Sequence, residues 1–156
     1  KTDWTTLEHT VKTLKEFGVE STVKVMSAHR TPHEATAFAE GAAKSGYKVI
    51  IGAAGGAAHL CGVLAGHTTL PVIGIPVKGW ALDGLDSLLS TVQMPKGVPV
   101  ATVAIGKAGA INAAILAVQI MGTADATLRR KMTAYKKKMA ADVLASDAAL
   151  QAELNG

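Results

Sequence analysis

The chain of 156 residues is long enough for one compact domain with its own core. Hydrophobic residues make up 49% of it and aromatic residues only 4%, so Ala, Val, Ile and Leu must build that core. The first residues carry charges throughout and show no secretory pattern. The single cysteine, Cys61, excludes an intrachain disulfide framework. We therefore expect a cytoplasmic protein.

The formal net charge of +4 is concentrated late in the chain, in basic residues at 129–131 and 136–138. Such a run on a helix is typical of a solvated face, and the scarcity of aromatic residues further weakens a nucleic-acid interface. The most apolar run, over 108–121, contains Asn112 and Gln119 and is too short to span a bilayer. We expect no nucleic-acid partner and no membrane partner.

The first predicted element is a helix over 5–17, in which Leu7, Val11 and Leu14 share one face and which Gly18 ends. The elements predicted after it are a strand over 21–26, a helix over 32–45 ended by Gly46, a strand over 47–54, a helix over 57–66, a strand over 71–77, a helix over 82–94, a strand over 99–105, and helices over 108–122 and 124–144.

The four predicted strands each lead into a helix, and three of them are near-continuous apolar runs. This pattern indicates a parallel sheet covered by helices on both faces, which is a doubly wound α/β fold. We expect one domain over 1–156, with 124–156 as a helical extension. Leu128, Met132, Tyr135 and Met139 recur there at helical spacing. Because the core needs no further cover, this helix is expected to pack on another subunit.

The chain opens with Lys1, and its first helix is predicted to be capped near Thr2 or Asp3. In doubly wound sheets of this type the first strand is central, and a sheet without it would leave its neighbours' backbone groups unpaired. We therefore predict that the natural polypeptide extends upstream by about ten or more residues that supply a strand.

Ligands of open α/β sheets bind beyond the carboxyl ends of the strands, and His29 and Arg30 occupy such a position. His29 can give or take a proton near neutral pH, whereas Arg30 stays protonated and suits a phosphate. The following helix begins with a predicted capping box, Thr31 to Glu34, with Pro32 at its first position, and its amino end favours anions. The pattern indicates an acid/base beside a phosphate site; the alternative is that His29 only caps the strand end.

A second junction contains the paired glycines Gly55 and Gly56. Such a turn lets a ligand approach the backbone, and free amides there can bind a carboxylate or carbon dioxide. From its apolar neighbours, which include Leu60, His59 is interpreted as a hydrogen-bonded core histidine rather than a base. A third junction, over 106–109, is similar but identifies no chemistry.

A metal centre is the weaker explanation of the histidines. His29 and His33 are four residues apart, but the helix start at Pro32 leaves His29 outside the helix, and no zinc motif accompanies the pair. Cys61 has apolar neighbours and is expected to be a small buried hydrophobe rather than a nucleophile. Kinase and dehydrogenase functions lack their glycine-rich motifs in this chain.

Six motifs then occur in a recognisable order. They are Ser27-Ala28-His29-Arg30-Thr31-Pro32, Val49-Ile50-Ile51, Gly55-Gly56-Ala57-Ala58-His59-Leu60, Asp86-Ser87-Leu88, Gln93-Met94-Pro95 and Gly97-Val98-Pro99-Val100. From residue 1 to about residue 122 the chain resembles the bacterial class I PurE family. The resemblance implies a flavodoxin-like three-layer fold, a homo-octamer, and an N5-carboxyaminoimidazole ribonucleotide mutase of purine biosynthesis that needs neither cofactor nor metal.

The implied reaction moves a carboxylate from the exocyclic nitrogen of the imidazole to its ring carbon C4, through carbon dioxide released and recaptured in a closed site. His29 matches the general acid/base of the family. The substrate-binding positions that the resemblance implies are Thr2, Asp3, Ser27, Arg30, Gly55, Gly56, His59 and Leu60. Among them Arg30, Thr2 and Asp3 match phosphate or ribose contacts, while the glycine turn with His59 and Leu60 matches the carboxylate pocket.

Two departures from the family pattern concern the second junction: Cys61 stands where proline is usual, and Gly52-Ala53-Ala54 replaces Ala-Gly-Ala. The class II relatives, which carboxylate aminoimidazole ribonucleotide directly with carbon dioxide, have Lys at the position of Arg30 and lack the run that ends at His59. Arg30 and His59 therefore favour class I. The alternatives are that direct carboxylase and a non-catalytic nucleotide-binding module, which would be expected to lose the acid/base histidine or the glycine turn.

Overall fold

A computed structural model describes residues 3–79 and 81–155. Its helices and strands are, in chain order, α1 (Trp4–Glu16), α2 (Pro32–Ala42), β1 (Ile50–Gly55), α3 (Leu60–Gly66), β2 (Val72–Val77), α4 (Leu85–Val92), β3 (Ala101–Thr102), α5 (Lys107–Gly122) and α6 (Ala126–Asn155). The chain divides into two compact units, 1–117 and 118–156.

The first unit is built on a parallel sheet with the strand order β1-β2-β3. Ile50 of β1 lies opposite Val72 of β2, and Gly55 lies opposite Val77. Every residue of β2 is buried, because a central parallel strand is covered on its faces and flanked at both edges. Helices α3 and α4 pack against these strands. The predicted flavodoxin-like α/β class is confirmed.

The predicted strand over 21–26 is wrong. In the described ranges this segment pairs with no strand of the sheet, and Val23 and Val25 are 43% and 83% exposed. Residues that favour the extended conformation do not by themselves form a strand, because a strand is stable only when a neighbouring strand takes up its backbone hydrogen bonds. Three strands are therefore present in the described part where four were predicted. The strand predicted upstream of Lys1 lies outside the sequence and stays a prediction.

The predicted glycine stops are confirmed. Gly18 and Gly46 have φ values of +72° and +87°, a conformation that glycine adopts at little cost after a helix. The predicted helical extension over 124–156 is a single helix: α6 continues past residue 144, where the last predicted element ended, to Asn155. The segment 145–155 is rich in Ala and Leu and has no Gly or Pro, so nothing in it ends a helix.

Helix α2 begins at Pro32 as predicted, but the predicted capping box is wrong. Thr31 occupies the N-cap position without a side-chain capping bond. Its hydroxyl instead donates to the Ser27 carbonyl oxygen at 3.2 Å and accepts from the Ser27 N–H at 2.8 Å. Because that hydroxyl is committed to the preceding loop, no side chain of the described residues caps the first amides of α2.

Two other elements are right in type and shorter than predicted. The strand over 99–105 is regular only at Ala101–Thr102, although the Val103 and Gly106 amides still donate to carbonyls of β2 at 3.0 Å. The helix predicted from residue 82 becomes α4 only after Leu82–Gly84, where Leu82, Asp83 and Gly84 all have positive φ.

Cys61 lies in the core with Ile50 and Val72, as predicted, and is fully buried. Burial raises the pKa of its thiol to about 12, so the thiol stays protonated and unreactive at neutral pH. A Cβ atom added at Gly52 would lie 2.7 Å from the Cys61 sulfur, and one at Gly74 would lie 3.4 Å from it. The two departures from the family pattern therefore lie next to each other, and the missing methyl group of Gly52 leaves the space that the Cys61 sulfur occupies.

The second unit contains the end of α5 and the long helix α6. Asp125 precedes α6, and its carboxylate accepts the Thr127 and Leu128 amides at 2.7 and 3.1 Å, which caps the helix. The large exposed apolar side chains of α6 are Met139, Val143, Leu144, Leu150 and Leu154. The predicted basic positions of α6 are exposed to solvent. Of the described helices, none is both long enough and apolar enough to cross a membrane.

Candidate active site

The loop over 27–31 is closed by its own residues. The Ser27 hydroxyl oxygen accepts the His29 and Arg30 amides at 3.3 and 3.2 Å, and the Thr31 N–H donates to the Ser27 carbonyl oxygen at 3.0 Å. The backbone of His29 and Arg30 is thereby held in place while both residues remain exposed. Ser27, a predicted substrate-binding residue, thus shapes this loop through its own hydroxyl.

The paired-glycine turn lies at the carboxyl end of β1. Gly55 is the last residue of the strand, and Gly56 has a φ of +66°, which favours glycine because a Cβ atom is strained there. The Gly56 N–H donates to the Ser87 hydroxyl oxygen of α4 at 2.8 Å. His59 then occupies the N-cap position of α3.

The prediction that the amides of this turn are free is wrong for three of them. Besides Gly56, the Ala58 N–H donates to the Ser90 hydroxyl oxygen at 3.0 Å, and the His59 N–H donates to the Ala57 carbonyl oxygen at 2.9 Å. The sequence showed the glycines but not the hydroxyls that α4 brings to them. The Ala57 N–H makes no hydrogen bond within the described part of the chain.

The loop and the turn meet through their histidines. Nε2 of His29 lies 3.0 Å from Nδ1 of His59, and the two rings stand edge to face with centroids 5.1 Å apart. Both residues are exposed. The interpretation of His59 as a core histidine is therefore wrong, because the start of α3 places it at the surface rather than among the apolar side chains of its sequence neighbours.

This histidine contact restricts what the pair can do chemically. One of the two facing nitrogens must carry the hydrogen and the other must accept it, so the contact is compatible with at most one doubly protonated ring. Imidazole is the side chain that exchanges protons near neutral pH. The pair can consequently take up one proton and give it back, as a general acid/base requires.

The other predicted site residues are placed as follows. Arg30 is exposed two residues before α2 begins, and Asp3 occupies the N-cap position of α1 without a side-chain capping bond. Leu60 is the first residue of α3 and packs against the core. Thr2 lies outside the described residues. No hydrogen bond or ion pair joins Arg30 or Asp3 to the histidine pair in the ranges that the structure describes.

Sequence reasoning missed Ser87 and Ser90 as residues of the site. Their signal is two hydroxyl residues three apart near the start of a helix, because such a pair shares one helix face. The motif that contains Ser87 contributed only to the family resemblance. Among the described residues, no group of three or more His, Cys, Asp or Glu side chains could hold a metal ion.

Comparison with known proteins identifies the family. A family model described as AIR carboxylase matches residues 1–142. An N5-carboxyaminoimidazole ribonucleotide mutase of Vibrio vulnificus is 53% identical over 146 residues, which cover 94% of this chain and 91% of the relative. The mutase of Bacillus subtilis is 54% identical over 144 residues, covering 92% and 89%. The crystal structure of Treponema denticola PurE has the same fold, with a TM-score of 0.85 at 24% identity over 96% of this chain and 92% of that one. The chain therefore belongs to the AIR carboxylase (PurE) family.

Proposed function

We propose that this protein is an N5-carboxyaminoimidazole ribonucleotide mutase of purine biosynthesis. Relatives that are half or more identical to it over nearly its whole length carry that name. The structural observation that carries the proposal is the 3.0 Å contact between His29 and His59. It brings a proton-transfer group to the glycine turn, and the reaction needs both in one place.

The reaction balances without an external reagent. The bond between the exocyclic nitrogen and the carboxyl carbon breaks, carbon dioxide leaves, and the nitrogen takes a proton. Carbon C4 then attacks the carbon dioxide, and the C4 proton is removed to restore the aromatic ring. One proton is given and one is taken back, so a single acid/base that returns to its starting state is sufficient. The isomerisation therefore requires no oxidant, reductant or group carrier.

The proposed roles within the site are supported by the positions of its residues. We assign proton transfer to His29, which is exposed on a loop closed by its own hydrogen bonds. His59 and the turn over 55–59 shelter the migrating carboxyl group. Arg30 binds the phosphate, and the amides at the start of α2, which the N-cap residue Thr31 leaves without a side-chain cap, favour the same anion. Asp3 and Thr2 are proposed as further substrate contacts.

The competing proposal is direct carboxylation of aminoimidazole ribonucleotide by carbon dioxide, and the description of the matching family names that activity. Two observations favour the mutase. Arg30 and His59 are both present and exposed. According to the resemblance, the direct carboxylases have Lys at the position of Arg30 and lack the run that ends at His59. The relatives at about half identity are named as mutases.

Ring-carbon carboxylation with purified protein distinguishes the two activities. The mutase is expected to convert the carbamate N5-carboxyaminoimidazole ribonucleotide at the same rate with and without added bicarbonate. Turnover of aminoimidazole ribonucleotide that requires bicarbonate, with no turnover of the carbamate, would show the direct carboxylase instead. Absence of both activities would leave the nucleotide-binding module as the function, which binding of aminoimidazole ribonucleotide in a calorimeter would then test.

We also propose that the protein assembles as an octamer and works in the cytoplasm. The exposed apolar side chains in the second half of α6 support self-association, since Val143 and Leu150 are seven residues apart and share a face. Light scattering is expected to give about eight chain masses, and V143D/L150D is expected to reduce that mass. The control A141D/A148D places the same charges on the opposite face of α6 and should leave the mass unchanged.

A further inference from the structure

The backbone pairing of β1 and β2 changes at the glycine turn. In a parallel pair, the amides of one strand donate to carbonyls of the other at every second residue. The Ile50 N–H begins this pattern by donating to the Pro71 carbonyl oxygen at 3.0 Å, and the register then advances residue for residue as far as Gly55 opposite Val77. The regular continuation, six residues further on both strands, would join the Gly56 N–H to the Val77 carbonyl oxygen.

A serine hydroxyl stands in place of that bond. Ser87 accepts the Gly56 N–H at 2.8 Å and donates its own hydrogen to the Val77 carbonyl oxygen at 2.7 Å. With tetrahedral geometry at the hydroxyl, the Gly56 nitrogen and the Val77 oxygen lie about 4.5 Å apart instead of about 2.9 Å. Ser87 is fully buried, so no water competes for either partner. Its hydroxyl therefore holds the ends of the two strands apart.

Ser90 makes a second connection from the same helix to the same turn. Its hydroxyl oxygen accepts the Ala58 N–H at 3.0 Å, and its own hydrogen is held by the Asp86 carbonyl oxygen at 2.7 Å. The amides on both sides of Ala57 are thus bound to α4. The Ala57 N–H, which lies between them, keeps no partner in the described part of the chain and remains available to a ligand.

We propose that Ser87 and Ser90 are positioning residues for carboxyl transfer: they hold open the turn that precedes His59, so that the migrating carboxyl group can reach the exposed Ala57 N–H. This inference rests on the proposed mutase function. Without the Ser87 hydroxyl, the Gly56 N–H and the Val77 carbonyl can bond directly and close the end of the sheet. A closed turn would displace the carboxyl pocket from the histidine pair while leaving the loop that holds Arg30 untouched.

The test compares Ser87→Ala with the wild-type enzyme on three measurements. We expect kcat for the carbamate to fall by about tenfold to a hundredfold, the size of effect that misplacement by about 1 Å produces. The dissociation constant for aminoimidazole ribonucleotide should change little, because that ligand has no carboxyl group. The fraction of turnovers that release aminoimidazole ribonucleotide and carbon dioxide should rise, since a displaced pocket retains carbon dioxide poorly. A crystal structure of the variant should show the Gly56 nitrogen close to the Val77 oxygen.

Thr91→Val is the matched control. Thr91 is buried on the same helix, and its hydroxyl donates to the Ser87 carbonyl oxygen at 2.7 Å and lies 3.5 Å from the Ala58 carbonyl oxygen. Unlike Ser87 and Ser90, it accepts none of the described amide N–H groups of the turn. This variant should keep the wild-type kcat and coupling. A Ser87→Ala enzyme with wild-type kcat and coupling would overturn the inference, as would equal losses in Thr91→Val. If Ser87→Ala does not fold, Ser90→Ala decides by the same criteria. A wild-type protein that fails to convert the carbamate would instead reject the proposed function.

Discussion

The loop over 27–31 and the turn over 55–59 each precede a helix and each present a histidine, but they are stabilised in different ways. The loop is closed by Ser27 and Thr31, whose hydroxyls bond to backbone groups within four residues. The turn is held by Ser87 and Ser90, which are 31 and 32 residues away from the amides they accept. In the proposed mechanism, proton transfer thus depends on a loop that is stabilised locally. Carboxyl transfer depends on a turn whose conformation requires the docking of α4.

The largest expected loss of activity tests the role of the loop over 27–31 in proton transfer. His29→Asn should lower kcat by about a hundredfold to ten-thousandfold, because asparagine forms hydrogen bonds but cannot exchange a proton. Since His29 is exposed, the melting temperature and the affinity for aminoimidazole ribonucleotide should stay near those of the wild type.

The matched control for that variant is His33→Asn, which changes an exposed histidine of α2 outside the pair and should keep the wild-type rate. Retention of the wild-type rate by His29→Asn would contradict the assignment. A larger loss in His59→Asn than in His29→Asn would move proton transfer from the loop to the turn and so reverse the comparison.

The next effect sharpens the role of the loop in binding. Arg30→Ala should raise KM by about tenfold to a hundredfold with little change in kcat, because it removes charge-assisted hydrogen bonds worth about 1.5–3 kcal/mol. Steady-state kinetics at two salt concentrations measures KM and kcat of the variant and the wild type. Lys44→Ala, which removes an exposed charge just beyond α2, is the control. An unchanged KM in Arg30→Ala would exclude the guanidinium from the phosphate site.

A third prediction concerns the strand beneath the turn. Gly52→Ala places a methyl group 2.7 Å from the Cys61 sulfur, and crowding of this kind lowers the free energy of unfolding by about 1–3 kcal/mol. Cys61→Ala creates space for that methyl, so the double variant should be more stable than the sum of the single effects implies. Urea unfolding of the four proteins measures the coupling. Strictly additive losses would show that the two positions do not interact.

The smallest expected effect concerns pH. Burial raises the pKa of the Cys61 thiol from 9.0 to about 12, so between those values the folded protein binds more protons than the unfolded chain. Stability contributed by this group is complete below pH 9 and is lost as the pH rises towards 12. Between pH 8 and pH 10 the wild type should therefore lose about 1 kcal/mol more than Cys61→Ala. Equal losses in both proteins would indicate an accessible thiol.

Several features of the fold could be predicted from the sequence because their causes are local. Gly18 and Gly46 end helices because glycine adopts the left-handed backbone conformation at little cost. Pro32 starts a helix because its ring fixes a φ that suits the first helical turn. The apolar run that forms β2 needs burial in any fold. The position of His29 beside an anion-favouring helix start belongs to the same group.

Other features could not be predicted, because a remote partner decides them. The segment over 21–26 has strand propensity but no paired neighbour in the described sheet, and Thr31 bonds to Ser27 instead of capping α2. His59 has apolar neighbours in sequence and the ring of His29 in space. In each case residue type sets what a group can do, and packing sets which partner it meets.

The sequence by itself determined the α/β class, the chemistry available at His29 and Arg30, and the glycine turn at Gly55 and Gly56. Only the tertiary structure decided that the two histidines touch and that Ser87 separates the ends of β1 and β2. Local order follows from backbone preferences of consecutive residues. The candidate active site depends on hydrogen bonds across about 30 residues of chain, which form only when strands and helices pack together.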